Sequence, residues 1–490
     1  MNRATAIAAF LALAAVAANA QAPRDISAWK NTTPEQPTAV LVQGATIWTS
    51  GPEGVLEDAD LLIKRGKITK IGKGLNAPRD AVVIDGSGKH VTAGLIDAHS
   101  HSAIVGGVNE GSNTTTAEVR IGDVVNSESI QVYRQLAGGL TTANLLHGSA
   151  NSIGGQNAVI KLRWGAPPEE MKIAGAPEGI KFALGENPKQ SNFFNDENPR
   201  YPATRAGVER SIRERFEAAR DYGEEQAAHA QDPSGVPPRR DLQLEALVEI
   251  MKGERLVHSH SYRADEIVML LRVAEDFGFT VASFQHVLEG YKVANELAAA
   301  GSGASTFSDW WAYKFEVIDA IPYNGAIMQD RGVVVSFNSD SSDLARRLNT
   351  EAAKAVRYGG VPEAEALKFV TLNPAIQLGI DDRVGSLEKG KDADFVVWSG
   401  HPLSTYTRCE QTWIDGRKYF DRQYDLVARE ALAAERQELL AKVRAEAEED
   451  EEDEEAEEKG ENAEANPEPA YILSDEDHSE TCRSRDGGVR

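Results

Sequence analysis

Cysteine is nearly absent: the 490 residues contain 2, Cys409 and Cys482, both remote from the histidine-bearing segments. Neither a four-thiolate metal site nor a disulfide framework can organise such a chain. Positive charge is also short, with 52 Lys and Arg against 76 Asp and Glu, and no basic patch points to nucleic acid. No apolar run approaches the roughly 20 residues that span a bilayer. Repeats of solenoid period are missing as well.

The excess acid is concentrated at one end. Residues 446–490 hold 19 acids and 4 bases, which accounts for 15 of the net 24 negative charges. Like charge at that density cannot collapse around a core, so 446–490 is expected to be a disordered, solubilising tail. At the other end, Asn2-Arg3, the apolar stretch Ala6 to Ala17 and Ala18-Asn19-Ala20 have the three regions of a secretory signal peptide. Cleavage after Ala20 is expected, with export to the periplasm and no membrane attachment afterwards. About 425 residues remain, enough for a large barrel with a satellite domain. The partners expected are a small-molecule substrate and, at most, further copies of the same chain.

What is present is a set of strand-end histidines. In Gly94-Leu95-Ile96-Asp97-Ala98-His99-Ser100-His101, alternate residues of a strand share one face and aim two imidazoles at one point. Three later apolar runs end likewise, at His258, at His286 and at Asp340. Five of the ten histidines (His99, His101, His258, His260, His286) sit at such ends. Neutral imidazole with carboxylate is the donor set of zinc and related first-row ions, so a divalent metal centre is expected.

Short strands divided by turns fill 38–92 and return in 376–420, and these two segments are expected to pair into one composite β-sandwich domain. Between them, 93–375 alternates apolar runs with helical patterns. Candidate strands at 94–101, 140–145, 156–163, 178–184, 255–260, 279–285, 303–308 and 333–338 predict an α/β fold, a closed (β/α)8 TIM barrel, with every candidate ligand at a C-terminal strand end. Residues 186–253 interrupt it as an insertion, read as either a rim lid or a surface decoration. A C-terminal helix is expected over 421–445. Further polar groups near strand ends, His147, Asn151, Gln156, His260 and Asp309 with Trp310-Trp311, are candidates for orienting substrate.

Taken together, Ala93 to His101, the His258 and His286 pair, Ser339-Asp340, Asn373-Pro374-Ala375 and Gly385-Ser386-Leu387-Glu388-Lys389-Gly390-Lys391-Asp392-Ala393-Asp394 resemble the amidohydrolase superfamily, in particular its imidazolonepropionase-like and prolidase-like branch. The resemblance runs from about residue 38 to 420. It implies a metal-dependent barrel beside a β-sandwich and hydrolysis of amide-type C–N bonds. It further implies one or two divalent ions, expected to be zinc, with His99, His101 and Asp340 holding the first and His258 and His286 the second. A strand-four ligand would bridge them, either Lys181 in carboxylated form or Glu186; five positions apart, they point to opposite faces, and Lys181 is preferred. If neither ligates, a single ion remains and His286 would bond to water or substrate.

The mechanism expected is attack by a metal-activated hydroxide, with Asp340 taking its proton and passing it to the leaving nitrogen. A peptide, N-acyl amino acid or cyclic amide would be the substrate. The competing readings are a heterocycle deaminase of the same superfamily and a catalytically inactive barrel that acts as a binding protein.

Overall fold

The computed structural model describes residues 33–189, 200–310 and 313–458. The expected signal peptide (1–20), Trp311 and the tail beyond 458 lie outside them. No helix among the described residues is long and apolar enough to cross a membrane.

Eight strands from the two flanking segments share one sheet: β1 (Ala39–Trp48), β2 (Val55–Lys64), β3 (Lys67–Gly72), β4 (Ala81–Asp85) and β5 (His90–Ala93) before the barrel, and after it, in the same numbering, β15 (Phe395–Trp398), β16 (Cys409–Ile414) and β17 (Arg417–Asp421). The segments meet where β5 pairs antiparallel with β15. The sheet forks at β1, whose first half pairs parallel with β4 and whose second half pairs parallel with β5. Gly44, at φ +68°, separates the halves, and residues of this left-handed conformation suit glycine. All eight strands are thus connected by hydrogen bonds through the fork at β1. Val40, Val42, Ile47, Leu61 and Ile63 bury one face, with Phe395 stacked on Trp413 at 5.4 Å.

The barrel region carries β6 (Leu95–Ser100), β7 (Leu140–Leu145), β8 (Ile153–Gln156), β9 (Ala158–Lys161), β10 (Glu178–Ala183), β11 (Arg255–Ser261), β12 (Val281–His286), β13 (Gly303–Thr306) and β14 (Val335–Phe337). Their hydrogen bonds form two arcs, β6-β7-β9 and β14-β13-β12-β11-β10-β8, not one closed ring. The expected third strand, 156–163, is the cause. It divides at Asn157 into β8 and β9, which run antiparallel to β10 and β7. No helix lies between β7 and its partner β9. A parallel return is usually made through a crossover helix, and without one the chain doubles back. The arcs meet between β6 and the end of β14, where Asp340 N–H donates to the His99 carbonyl at 3.1 Å and Ser339 N–H to Asp97 Oδ1 at 3.0 Å.

Within the insertion, the helix Arg205–Gln231 buries Val208, Ile212, Phe216 and Ala219, one stripe at helical spacing. Phe216 stacks on Phe277 and Phe279 at 5.2 and 4.9 Å. This helix therefore packs in the barrel's jacket, which corrects both the lid and the decoration readings for these residues. Its capping is local: Thr204 Oγ1 accepts from Gly207 N–H at 3.1 Å. The last helix, Arg422–Glu458, runs past the expected boundary at 445 into the acidic segment. Alanine and glutamate are strong helix formers, so charge density alone does not end it there.

The two bodies are joined by a buried ion cluster. Lys161, at the end of β9, places Nζ 2.8 Å from Asp392, 3.0 Å from Asp394 and 2.6 Å from Asp415. The Gly390-Lys391-Asp392-Ala393-Asp394 segment thus serves as the junction between sheet and barrel. Gly94, at the entrance to β6, has no space for a Cβ, which would lie 2.1 Å from Thr141 Oγ1.

Candidate metal centre

Alternation along β6 brings His99 to the barrel mouth, and His101 follows just beyond the strand. Their Nε2 atoms lie 3.2 Å apart. Asp340 Oδ1 is 3.5 Å from His99 Nε2 and 3.2 Å from His101 Nε2. One donor atom from each of the three residues fits within 4.8 Å of the others. The remaining ring nitrogens are tethered from behind: His99 Nδ1–H donates to Gln285 Oε1 at 3.2 Å and His101 Nδ1–H to the Leu146 carbonyl at 2.9 Å. An acceptor at Nδ1 leaves the lone pair on Nε2, facing inward, as in metal-ligating histidines.

Lys181 and His258 are register partners on β10 and β11. Lys181 Nζ approaches His99 Nε2 to 3.1 Å. His258 Nδ1 meets Ser283 Oγ at 2.8 Å, and Gln285 Nε2 donates to the same hydroxyl at 2.6 Å. Gln285 and Ser283 therefore link His99 to His258, a role the sequence reading missed although both lie on one face of β12. Strand parity would send His286 to the opposite face from them. Its φ of +67° turns it back, and Nε2 comes 3.6 Å from Asp340 Oδ2. Asp340 itself sits at φ +43°. Left-handed conformations at non-glycine residues cost energy and gather at functional sites.

Burial sets the protonation. It pushes His258 and His286 down to about 3 and His99 and His260 well below the usual imidazole value, reinforced by the Lys181 charge. The rings are thus neutral, the form that binds a cation. For Asp340, burial acts upward but is outweighed by the hydrogen bond with His101 and by the nearby Lys181 ammonium, so the carboxyl stays below its ordinary value. Behind it, burial raises Asp97 to about 7 although Ser339 Oγ donates to it at 2.5 Å.

Other candidates are placed differently. Glu186 is directed away: its backbone N–H donates to Glu316 at 3.0 Å and its carboxylate lies 3.9 Å from Arg205, so it is not the strand-four neighbour of His99. Register with β11 gives that place to Lys181. His147 has both nitrogens engaged, with the Gly148 carbonyl and the Glu110 N–H at 2.9 and 2.8 Å. Gly154 and Gly155 make room for its ring, since a Cβ there would lie 2.8 and 2.9 Å from it. Gln156 Nε2 donates to the Ala117 carbonyl at 2.9 Å and Asn151 Nδ2 to the Glu110 carbonyl at 2.8 Å. These hydrogen bonds tie the three side chains to neighbouring loops. Asp309 pairs with Lys354 at 3.0 Å. His260 differs from all of them: it is 2% exposed, lies edge-on to Tyr262 at 4.5 Å and 5.0 Å from His286, and among the described residues neither ring nitrogen has a hydrogen-bond partner. A buried imidazole without partners is costly unless water or a ligand supplies them.

The residues present suit a divalent ion. Two imidazoles and a carboxylate converge, each imidazole is oriented by an acceptor behind it, and among the described residues His286 Nδ1 and both His260 nitrogens have no hydrogen-bond partner.

A model of the amidohydrolase family matches residues 322–419. The chain is similar to an amidohydrolase, tasK, of Hapsidospora irregularis, 30% identical over 428 residues; this alignment covers 78% of the chain but 43% of that relative, so the chain spans less than half of it. Imidazolonepropionase of Thermoplasma volcanium is 24% identical over 70% of the chain and 84% of its own length. Among solved structures, an amidohydrolase from Thermotoga maritima aligns at 33% identity over 78% of this chain and 100% of its own, with a TM-score of 0.72.

Proposed function

The chain belongs to the amidohydrolase family, whose members act on C–N bonds, and from that premise we propose that it hydrolyses an amide-type bond in a peptide, N-acyl amino acid or cyclic amide. The observation that carries the reading is the convergence of His99, His101 and Asp340 with both imidazoles tethered through Nδ1. A divalent ion, zinc by its donor set, would be held by these three, with His258, His286 and a carboxylated Lys181 as further ligands. When bound it would supply the Lewis acidity that ionises water near neutral pH and polarises a carbonyl.

The chain's own groups do the rest. Asp340, held as a carboxylate, accepts the proton of the attacking water and returns it to the leaving nitrogen. His260 offers one donor and one acceptor to the substrate. Gln285 and Ser283 keep the histidine rings in place.

The test combines metal analysis with a substrate screen. Purified protein should contain one or two zinc equivalents per chain, and the loaded enzyme should cleave members of a panel of dipeptides, N-acyl amino acids and cyclic amides, with loss on chelation and return on zinc addition. Ammonia release from aminated heterocycles alone would favour a deaminase. A loaded protein that leaves the whole panel intact would favour an inactive barrel.

We also propose export to the periplasm, supported by the Met1 to Ala20 pattern. N-terminal sequencing of protein from a periplasmic extract should begin at Gln21. Retention of Met1 there would overturn the cleavage.

A further inference from the structure

A cleft of about 570 Å³ opens beside the metal centre, with Ser341, the neighbour of Asp340, among its lining residues. Part of its lining is already neutralised. Glu351, 3% exposed, accepts from Ser308 Oγ and from Lys354 Nζ at 2.8 Å, and Lys354 also pairs with Asp309 at 3.0 Å. One ammonium serves two carboxylates there, and the other cations of the lining are Arg347 and Arg357. Among the described residues Arg347 pairs only with Asp343, 3.3 Å away in a pair 58% and 61% exposed, and such surface pairs are weak. Arg357 has no ion-pair partner among the described residues. Their backbone positions are ten residues apart, Arg347 at the N-cap of the helix Leu348–Gly359 and Arg357 in its last turn, about 15 Å along the helix axis. Trp310 supplies an aromatic wall connected to the centre: it stacks on Phe307 at 4.4 Å, and Phe307 on His286 at 4.8 Å. Arg357 is therefore the one cation of this lining without an ion pair among the described residues, in a chain of net charge −24.

We propose that this cleft is a distal substrate subsite that receives the carboxylate-bearing end of an extended, peptide-like molecule, with Arg357 as the anion receptor and Trp310 as its flat wall. The proposal rests on the amide-hydrolase reading above. An extended chain advances about 3.3–3.6 Å per residue, so four to five residues cover the distance from Arg347 to Arg357 and a dipeptide does not.

Zinc-loaded protein carrying Asp340→Asn, which binds without turnover, is titrated calorimetrically with N-acetyl-pentaglycine, its C-terminal amide and N-acetylglycine. The long acid should bind about tenfold more tightly than its amide, the size of one charge-assisted hydrogen bond. Adding Arg357→Gln should erase that difference and leave N-acetylglycine unchanged. In the active enzyme, Arg357→Gln should raise KM for the long acid by about the same factor with kcat constant. Equal affinity for acid and amide, or a difference that survives Arg357→Gln, would overturn the subsite. Tight binding of the long acid with no peptide cleaved by the active enzyme would keep the subsite and sink the hydrolase reading instead.

Discussion

Asp340→Asn lowers kcat/KM by roughly 10³-fold or more, about 4 kcal/mol of transition-state stabilisation, while the melting temperature stays near that of the parent. Asparagine keeps the shape and an oxygen near His101 but cannot take a proton at the pH of catalysis. The backbone has no reason to move: asparagine tolerates the left-handed conformation that Asp340 adopts at φ +43°, and the loop is fixed by main-chain bonds such as Asp340 N–H to the His99 carbonyl. The measurement is steady-state kinetics on whichever C–N substrate the parent cleaves, beside a thermal melt. A variant within tenfold of the parent would remove Asp340 from proton transfer.

Lys161→Met destabilises the protein by roughly 3–5 kcal/mol. Lys161 is fully buried, and its ammonium is shared by Asp392, Asp394 and Asp415. Burial already raises Asp394 to about 6 in spite of the Lys161 charge, while Asp392, with Lys161, Lys67 and Arg383 beside it, is held down to about 2. Removing the lysine leaves these carboxylates facing one another with cations at their outer edges, Arg163 on Asp415 and Lys67 and Arg383 on Asp392. Urea denaturation measures the loss. Because the uncompensated charge is the cause, Lys161→Met combined with Asp394→Leu should recover part of it. A loss under 1 kcal/mol in the single variant would mean that water reaches the junction.

Much of the metal centre was legible because it obeys local periodicity. The spacing of His99 and His101 needed only the two-residue period of a strand, and His258, His286 and Asp340 were visible as polar groups ending apolar runs. The choice between Lys181 and Glu186 was not legible in that way. Both follow the same apolar run, and the pairing of Lys181 with His258 across β10 and β11 separates them. His147 and Gln156 were drawn in by their nearness to strand ends, yet their hydrogen bonds go to surrounding loops. Gln285 and Ser283 were overlooked because amides and hydroxyls at buried strand positions carry no signal until their partners are in view.

The amino-acid order alone determined which segments become strands, where imidazoles and carboxylates fall within them, and that acid accumulates at the C-terminal end, since each follows from side-chain chemistry over a few neighbouring residues. Three-dimensional packing decided that the third barrel run doubles back as β8 and β9, that the helix Arg205–Gln231 joins the jacket, and that His286 turns inward against its strand's parity. The reason is range: strand direction, helix docking and a left-handed turn are set by the free energy of burying groups from distant parts of the chain together, and no local pattern contains that term.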